Sequence, residues 1–156
     1  MNVLAGVGSD TPALRFAGLC HDFGKAFSPE PPKHHGHDER GVAAVESFCE
    51  RLKVPTEYRK AAVLFCREHM RMHRLREMRG GKAITLIMKA HKTMPEDLSG
   101  FLACSVADGM TIEEAKQISE RARKVIDVRL PGEYVGRGKA CADIMMQIRC
   151  KVWNGR

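Results

Sequence analysis

Apolar residues recur at helical spacing along almost the whole chain, and nowhere do they alternate as a half-buried strand would. That regularity restricts the chain to an all-α architecture. Asp10, Thr11 and Pro12 read as a helix start, a capping side chain ahead of a proline suited to the first turn, with Ala13, Leu14, Phe16, Ala17 and Leu19 as the apolar face behind them. Gly24 is expected to stop this helix, and the three prolines of SPEPPKHHGH require an irregular loop. Helix resumes near Asp38 with Val42, Val45, Phe48, Cys49 and Leu52 on one face, and Pro55 opens the next, whose apolar positions include Ala61, Ala62, Leu64, Phe65 and Met72. Arg79-Gly80-Gly81-Lys82 reads as a turn before a short helix carrying Ile84, Leu86, Ile87 and Met88. A further helix after Pro95 runs through Leu98, Phe101, Leu102 and Val106 to near Asp108. Thr111 with Glu114 makes a capping box for a helix to about Leu130, and Pro131-Gly132 breaks it before a last helix from about Gly138 to Trp153. The expected product is one bundle of about seven helices over residues 1–156, with a basic C-terminal part from about residue 111.

A chain of 156 residues is the length of one ordinary domain. Hydrophobic residues at 44% and charged residues at 29% fit a globular chain, and no apolar run approaches the roughly 18 residues of a membrane span. The start MNVLAGVGSD has no basic segment ahead of an apolar core, so the cytoplasm is the default location. Cys20, Cys49, Cys66, Cys104, Cys141 and Cys150 form no CxxC pair and sit mostly among apolar residues at helical spacing, which favours buried thiols over a zinc site or disulfide frame. The net charge of +7 is uneven: residues 116–156 hold ten Lys/Arg against four Asp/Glu, whereas residues 1–115 hold sixteen against fifteen. A positive C-terminal end suits an anionic partner such as RNA, a solvated basic helix face being the plainer alternative.

The polar residues that carry chemistry centre on His21-Asp22. Together they supply an imidazole nitrogen and a carboxylate oxygen from one helix end, a donor set suited to Mn, Fe, Ni, Co or Zn. Alone the doublet is a weak signal, equally explained by a helix-terminal histidine beside a solvated aspartate. His69 and His73, four apart on one helix, share a face and are spaced to meet one ion; His34, His35 and His37 crowd a loop; Asp108 in SVADG offers a carboxylate from across the bundle. His35, His73 and His91 are read as surface or structural residues.

The run CHDFGKAFSPEPPKHHGHDERGV resembles the HD domain of bacterial tRNA nucleotidyltransferases, the CCA-adding enzymes, whose version reads like CHDLGKG, a Thr-Pro-Pro loop and HxGHxxxGV. CERLKVPTEYRKAAVLFCREH is similar to that family's following helix pair, SVADG to its SEAD, and VRLPGEYVGRGKACADIMMQIR to its closing helix. The resemblance implies an HD-domain helical bundle of the HD superfamily of metal-dependent phosphohydrolases. It implies His21, Asp22, His37, His69 and Asp108 as ligands of a divalent ion (Ni, Co, Mn, Mg, Fe or Zn), with Gly41 in the HxxxG element. Asp22 and Lys25 are then the catalytic residues, and Lys25 and Arg40 would neutralise the phosphate. The implied substrates are nucleotide or RNA phosphate esters, 2′,3′-cyclic nucleotides above all, with 2′-nucleotidase and phosphatase activity in tRNA end maintenance. Three departures accompany the match. Residues 1–20 contain no histidine to act as the family's upstream ligand; Met70 stands where the family commonly has Asp; and Gly8-Ser9, similar to the Gly-Ser entrance of the nucleotidyltransferase head, is followed by no Asp-x-Asp pair. The expectation is therefore a domain without that head. A second expectation is a helical module impaired at the metal site, binding tRNA as the tail of a larger nucleotidyltransferase through cations that include Arg121, Lys124, Arg137 and Lys139.

Overall fold

The computed structural model describes residues 11–27, 34–130 and 138–155, which are helical and contain no strand. Among the described residues the α-helices are α1 (Pro12–Cys20), α2 (His37–Arg51), α3 (Thr56–His73), α4 (Gly80–Thr93), α5 (Asp97–Ala107), α6 (Ile112–Ile126) and α7 (Lys139–Trp153), with 3-10 turns at Phe23–Phe27 and Leu75–Glu77. The expected all-α bundle is what forms. The Asp10 cap, the proline-rich segment 28–33, the Pro131-Gly132 break and Arg137 lie outside the described residues.

Helix α3 is central because two adjacent stripes of it are apolar. Ala61, Leu64, Phe65 and Met72 join the main core, with Leu14 and Ala17 from α1, Ile84 and Ile87 from α4, Phe101 and Leu102 from α5, and Val125 from α6. Phe65 and Phe101 meet edge to face with centroids 5.0 Å apart, and burying each contributes roughly 1.5–3 kcal/mol. The neighbouring stripe, Ala62 and Cys66, packs on Cys20, Val45 and Cys49 in a smaller core beneath α2. Cys20, Cys49, Cys66 and Cys104 are buried, Cys141 and Cys150 half-buried, and none forms a disulfide. Burial pushes the thiols of Cys20, Cys66 and Cys104 up to about 12.

Local chemistry sets the ends. Pro12 occupies the first turn of α1, but the Thr11 hydroxyl donates to Glu96 Oε1 at 2.5 Å and so ties α1 to the start of α5 instead of capping its own helix. The Thr111 capping box is present: Thr111 Oγ1 accepts from the Glu114 N–H at 3.1 Å, and the Thr111 N–H donates to Glu114 Oε2 at 3.0 Å, an arrangement worth about 1 kcal/mol.

Several sequence expectations are corrected. Helix α1 ends at Cys20, before Gly24, which lies inside the 3-10 turn. Gly80, Gly81 and Lys82 are not a turn but the first residues of α4, where glycine is tolerated because the first N–H groups lack intrahelical partners anyway. Helix α6 stops at Ile126, not near Leu130, with Asp127 as its C-cap. Leu19 and Leu52, assigned to apolar faces, are exposed.

Candidate metal centre

The end of α1, the start of α2 and the middle of α3 meet at one place, and two glycines permit the approach. A Cβ on Gly24 would lie 1.8 Å from the His37 carbonyl oxygen and 2.7 Å from the Gly41 nitrogen; one on Gly41 would lie 2.5 Å from Cys66 Sγ and 3.0 Å from the Gly24 nitrogen. The glycine of HDFGK and the glycine of HDERG therefore touch backbone to backbone, which carries Asp22 to His37. Gly36, with φ +69°, turns the chain into α2 so that His37 is its first residue.

Each of three imidazoles is held the same way. His21 Nδ1 lies 2.7 Å from the Gly18 carbonyl, His37 Nδ1 2.7 Å from the His34 carbonyl and His69 Nδ1 2.9 Å from the Cys66 carbonyl. A carbonyl oxygen only accepts, so Nδ1 carries the proton and donates, and in a neutral ring Nε2 keeps its lone pair. These Nε2 atoms converge. His37 Nε2 is 3.2 Å from His69 Nε2 and 3.2 Å from Asp22 Oδ1, and Asp22 Oδ1 is 3.9 Å from His69 Nε2. Asp22, His37 and His69 each offer a ligand atom within 4.8 Å of the others. Three facing acceptors, two of them on imidazoles only 2–7% exposed, have nothing to donate to one another and fit a cation between them.

His21 and the carboxylates extend the cluster. His21 Nε2 is 3.1 Å from Asp22 Oδ2 and 3.2 Å from Asp108 Oδ1, and Asp108 Oδ2 is 3.0 Å from His73 Nε2. Burial disfavours the charged His21 ring, but hydrogen bonds to Asp108, Asp22 and the Gly18 carbonyl outweigh it and raise its pKa to about 10. Burial likewise raises Asp22 and Asp108, yet His21 with Lys25, and His21 with His73, hold the two carboxyls well below the usual carboxylate range. His69 is lowered, chiefly by burial.

All five expected ligand residues thus lie in one cluster. His73, read from sequence as a surface or structural residue, is exposed and bonds the outer oxygen of Asp108, one turn beyond His69 on the same α3 face. Lys25 Nζ rests on Asp22 Oδ2 at 2.5 Å, on the open side of the cluster. Arg40 instead donates to the His35 carbonyl at 2.6 Å and braces the turn into α2. His35 is exposed as expected, whereas His91 is half-buried, 3.8 Å from Asp97. Met70, the departure from the family pattern, is exposed, and with His37, Asp38 and Arg74 it lines a cavity of about 500 Å³ at the mouth of the cluster.

The C-terminal cations are divided. Arg121 Nε donates to the Trp153 carbonyl at 2.6 Å while its guanidinium lies 4.1 Å from the centroid of that indole. Arg149 Nε donates to the Val125 carbonyl at 3.2 Å. Both fasten α6 to α7. Lys124 and Lys139 are exposed, and Arg137 lies outside the described residues.

A helical bundle that gathers imidazoles and carboxylates into a divalent-cation site defines a metal-dependent hydrolase-like domain. The chain belongs to the HD domain family, whose model matches residues 3–127. It is 34% identical over 160 aligned residues, 97% of this chain, to the Multifunctional CCA protein of Cupriavidus metallidurans, and 41% identical over 87% of its length to that of Teredinibacter turnerae. A shorter stretch, 41% of the chain, is 53% identical to the Multifunctional CCA protein of Xanthomonas euvesicatoria. The chain spans only 38%, 36% and 16% of those relatives' own lengths in these matches. No solved structure matches significantly, and no described helix is long and apolar enough to cross a membrane.

Proposed function

We propose that this chain is a metal-dependent phosphohydrolase acting on nucleotide phosphate esters, 2′,3′-cyclic nucleotides among them, with tRNA ends as the natural source. The observation that carries the reading is the convergence of His37 Nε2, His69 Nε2 and Asp22 Oδ1, with both imidazoles tautomerically fixed as lone-pair donors. His37, His69 and Asp22 hold the cation, and His21 and Asp108 complete the set. A divalent cation bound there supplies Lewis acidity, acidifying a water and polarising a phosphoryl oxygen. His73 braces the outer oxygen of Asp108 and keeps the inner one turned toward His21. Lys25, the exposed cation on Asp22, transfers to an arriving phosphate and offsets charge in the transition state, an effect worth roughly 3 kcal/mol in a dry site. Arg40, which donates to the His35 carbonyl, braces the turn into α2 beside this site. The tRNA-binding-module reading loses support because Arg121 and Arg149 serve helix docking.

The test combines metal analysis with turnover. Purified protein should retain a divalent metal and hydrolyse 2′,3′-cAMP and bis-p-nitrophenyl phosphate with Ni, Co, Mn or Mg, and Asp22→Ala and His37→Ala should each cut the rate by about 100-fold or more, the scale of a lost catalytic group. Absence of retained metal, with wild type and both variants equally inert, would discard the enzyme.

A further inference from the structure

The positive charge of this chain is not confined to its C-terminal part. Residues 67–82 carry Arg67, Arg71, Arg74, Arg76, Arg79 and Lys82 against only Glu68 and Glu77. Folding sorts them. Arg71 and Lys89 both pair with the buried carboxylate of Glu68, at 2.5 and 3.0 Å, and Arg76 donates to Gln117 at 2.5 Å. Arg74 and Lys82 have exposed side chains with no partner among the described residues. Together with Arg71, Met78, Gly81 and Thr85 they line a pocket of about 430 Å³ between the end of α3 and the start of α4. Glu68, the nearby buried acid, is already neutralised, and the first turn of α4 has no acidic residue. The pocket is therefore cationic without a countercharge of its own.

Its position relative to the metal centre gives it meaning. Arg74 also lines the cavity of about 500 Å³ that holds His37 and Met70, so one guanidinium stands between the centre and the cationic pocket. Arg74 is the C-cap of α3, five residues beyond His69 and about 7.5 Å further along the helix axis. Accepting the hydrolase reading above, on which this step rests, a phosphate ester at the centre that continues into a chain of further phosphates can use both cations.

We infer that Arg74 and Lys82 form a track for the phosphates of a single-stranded polynucleotide whose terminal phosphate ester lies at the His37–His69–Asp22 centre. The preferred substrate class is then an oligonucleotide end, not a free mononucleotide. The exposed thioether of Met70 and the apolar part of Met78 border the track and offer surface for a base between the two cation positions.

The probe is a fluorescein-labelled RNA of about ten nucleotides ending in a non-hydrolysable methylphosphonate, titrated with the metal-loaded full chain at several salt concentrations. Each phosphate neutralised on a single strand adds about −0.7 to the slope of log affinity against log salt. The double variant Arg74→Ala/Lys82→Ala should flatten that slope by about 1.4 and weaken binding, whereas Arg123→Ala/Lys124→Ala on α6 should leave it in place. Neither the Arg74 nor the Lys82 side chain bonds to another described residue, so both proteins should melt together. An unchanged slope in the first variant, or the loss appearing in the second instead, overturns the track. The hydrolase reading fails by a different signal: inert wild type toward 2′,3′-cAMP with the slope difference preserved would remove the chemistry and leave the polynucleotide site standing.

Discussion

The two ends of this bundle are assembled by different means. Around the candidate metal centre, α1, α2 and α3 are brought together by a backbone contact between Gly24 and Gly41 and by imidazoles pinned to carbonyls three residues back. At the other end α6 and α7 meet through side chains, with Arg121 and Arg149 reaching across to the carbonyls of Trp153 and Val125. At Gly24 the first arrangement tolerates almost no added atom because the close neighbours are backbone, which cannot rotate away. The second is made of flexible side chains at a half-buried seam. A glycine contact fixes distances that chemistry needs; an arginine seam only holds helices in place.

Single substitutions should separate the two ends. Gly24→Ala forces a methyl group into the His37 carbonyl, so a loss of about 3 kcal/mol or more is expected in urea melts, together with loss of metal retention. Trp153→Ala removes a buried indole and the ring under Arg121; it should cost about 3 kcal/mol yet leave metal affinity, read by equilibrium dialysis, unchanged. A parallel fall in metal affinity would mean that the two ends are not independent. His73→Ala should weaken metal binding by about 10 to 100-fold through the freed Asp108 carboxylate, with little change in the melting of the metal-free protein. His73→Gln, whose amide can still donate to Asp108, should recover part of that loss, and failure to recover would point to direct ligation.

The smallest effect concerns pH in the metal-free protein. His21, raised to about 10 in the fold, stabilises it fully below its unfolded value of about 6.5 and loses that contribution as pH climbs through 10. Asp22 and Asp108, held low, contribute above about 3.9, the unfolded aspartate value, and lose their contribution as pH falls further. Thermal midpoints should therefore decline from about pH 6.5 toward pH 10, less steeply in His21→Gln, and should also fall below pH 6.5, where His69, lowered by burial, resists the proton that the unfolded chain takes up.

Much of this was legible in the sequence because helical spacing is a local property. The core positions of α3 and α5 and the Thr111 capping box fell where periodicity put them, and the five residues expected as ligands lie in one cluster. What escaped depends on distant partners. Gly24 reads as a helix stop because nothing local says that Gly41 will lie against it. Gly80-Gly81 reads as a turn by composition, although core residues such as Ala83 and Ile84 draw the helix back to its first glycine. His73, flanked by Arg71 and Arg74, reads as a surface or structural residue, but only the fold shows that its partner is Asp108 at the end of α5. Arg121 and Arg149 count as display charges until Trp153 and Val125 come within reach.

The pinning of His37 and His69 has one more consequence. With Nδ1 committed to a carbonyl, each ring offers the cleft a lone pair and no hydrogen to give. The His37 and His69 part of the cleft floor thus offers acceptors only, while the exposed cations Lys25 and Arg74 stand at its lip. A ligand is sorted by this layering before any bond breaks: an anion is turned away from the bare floor and admitted only when a cation has first reversed the sign there.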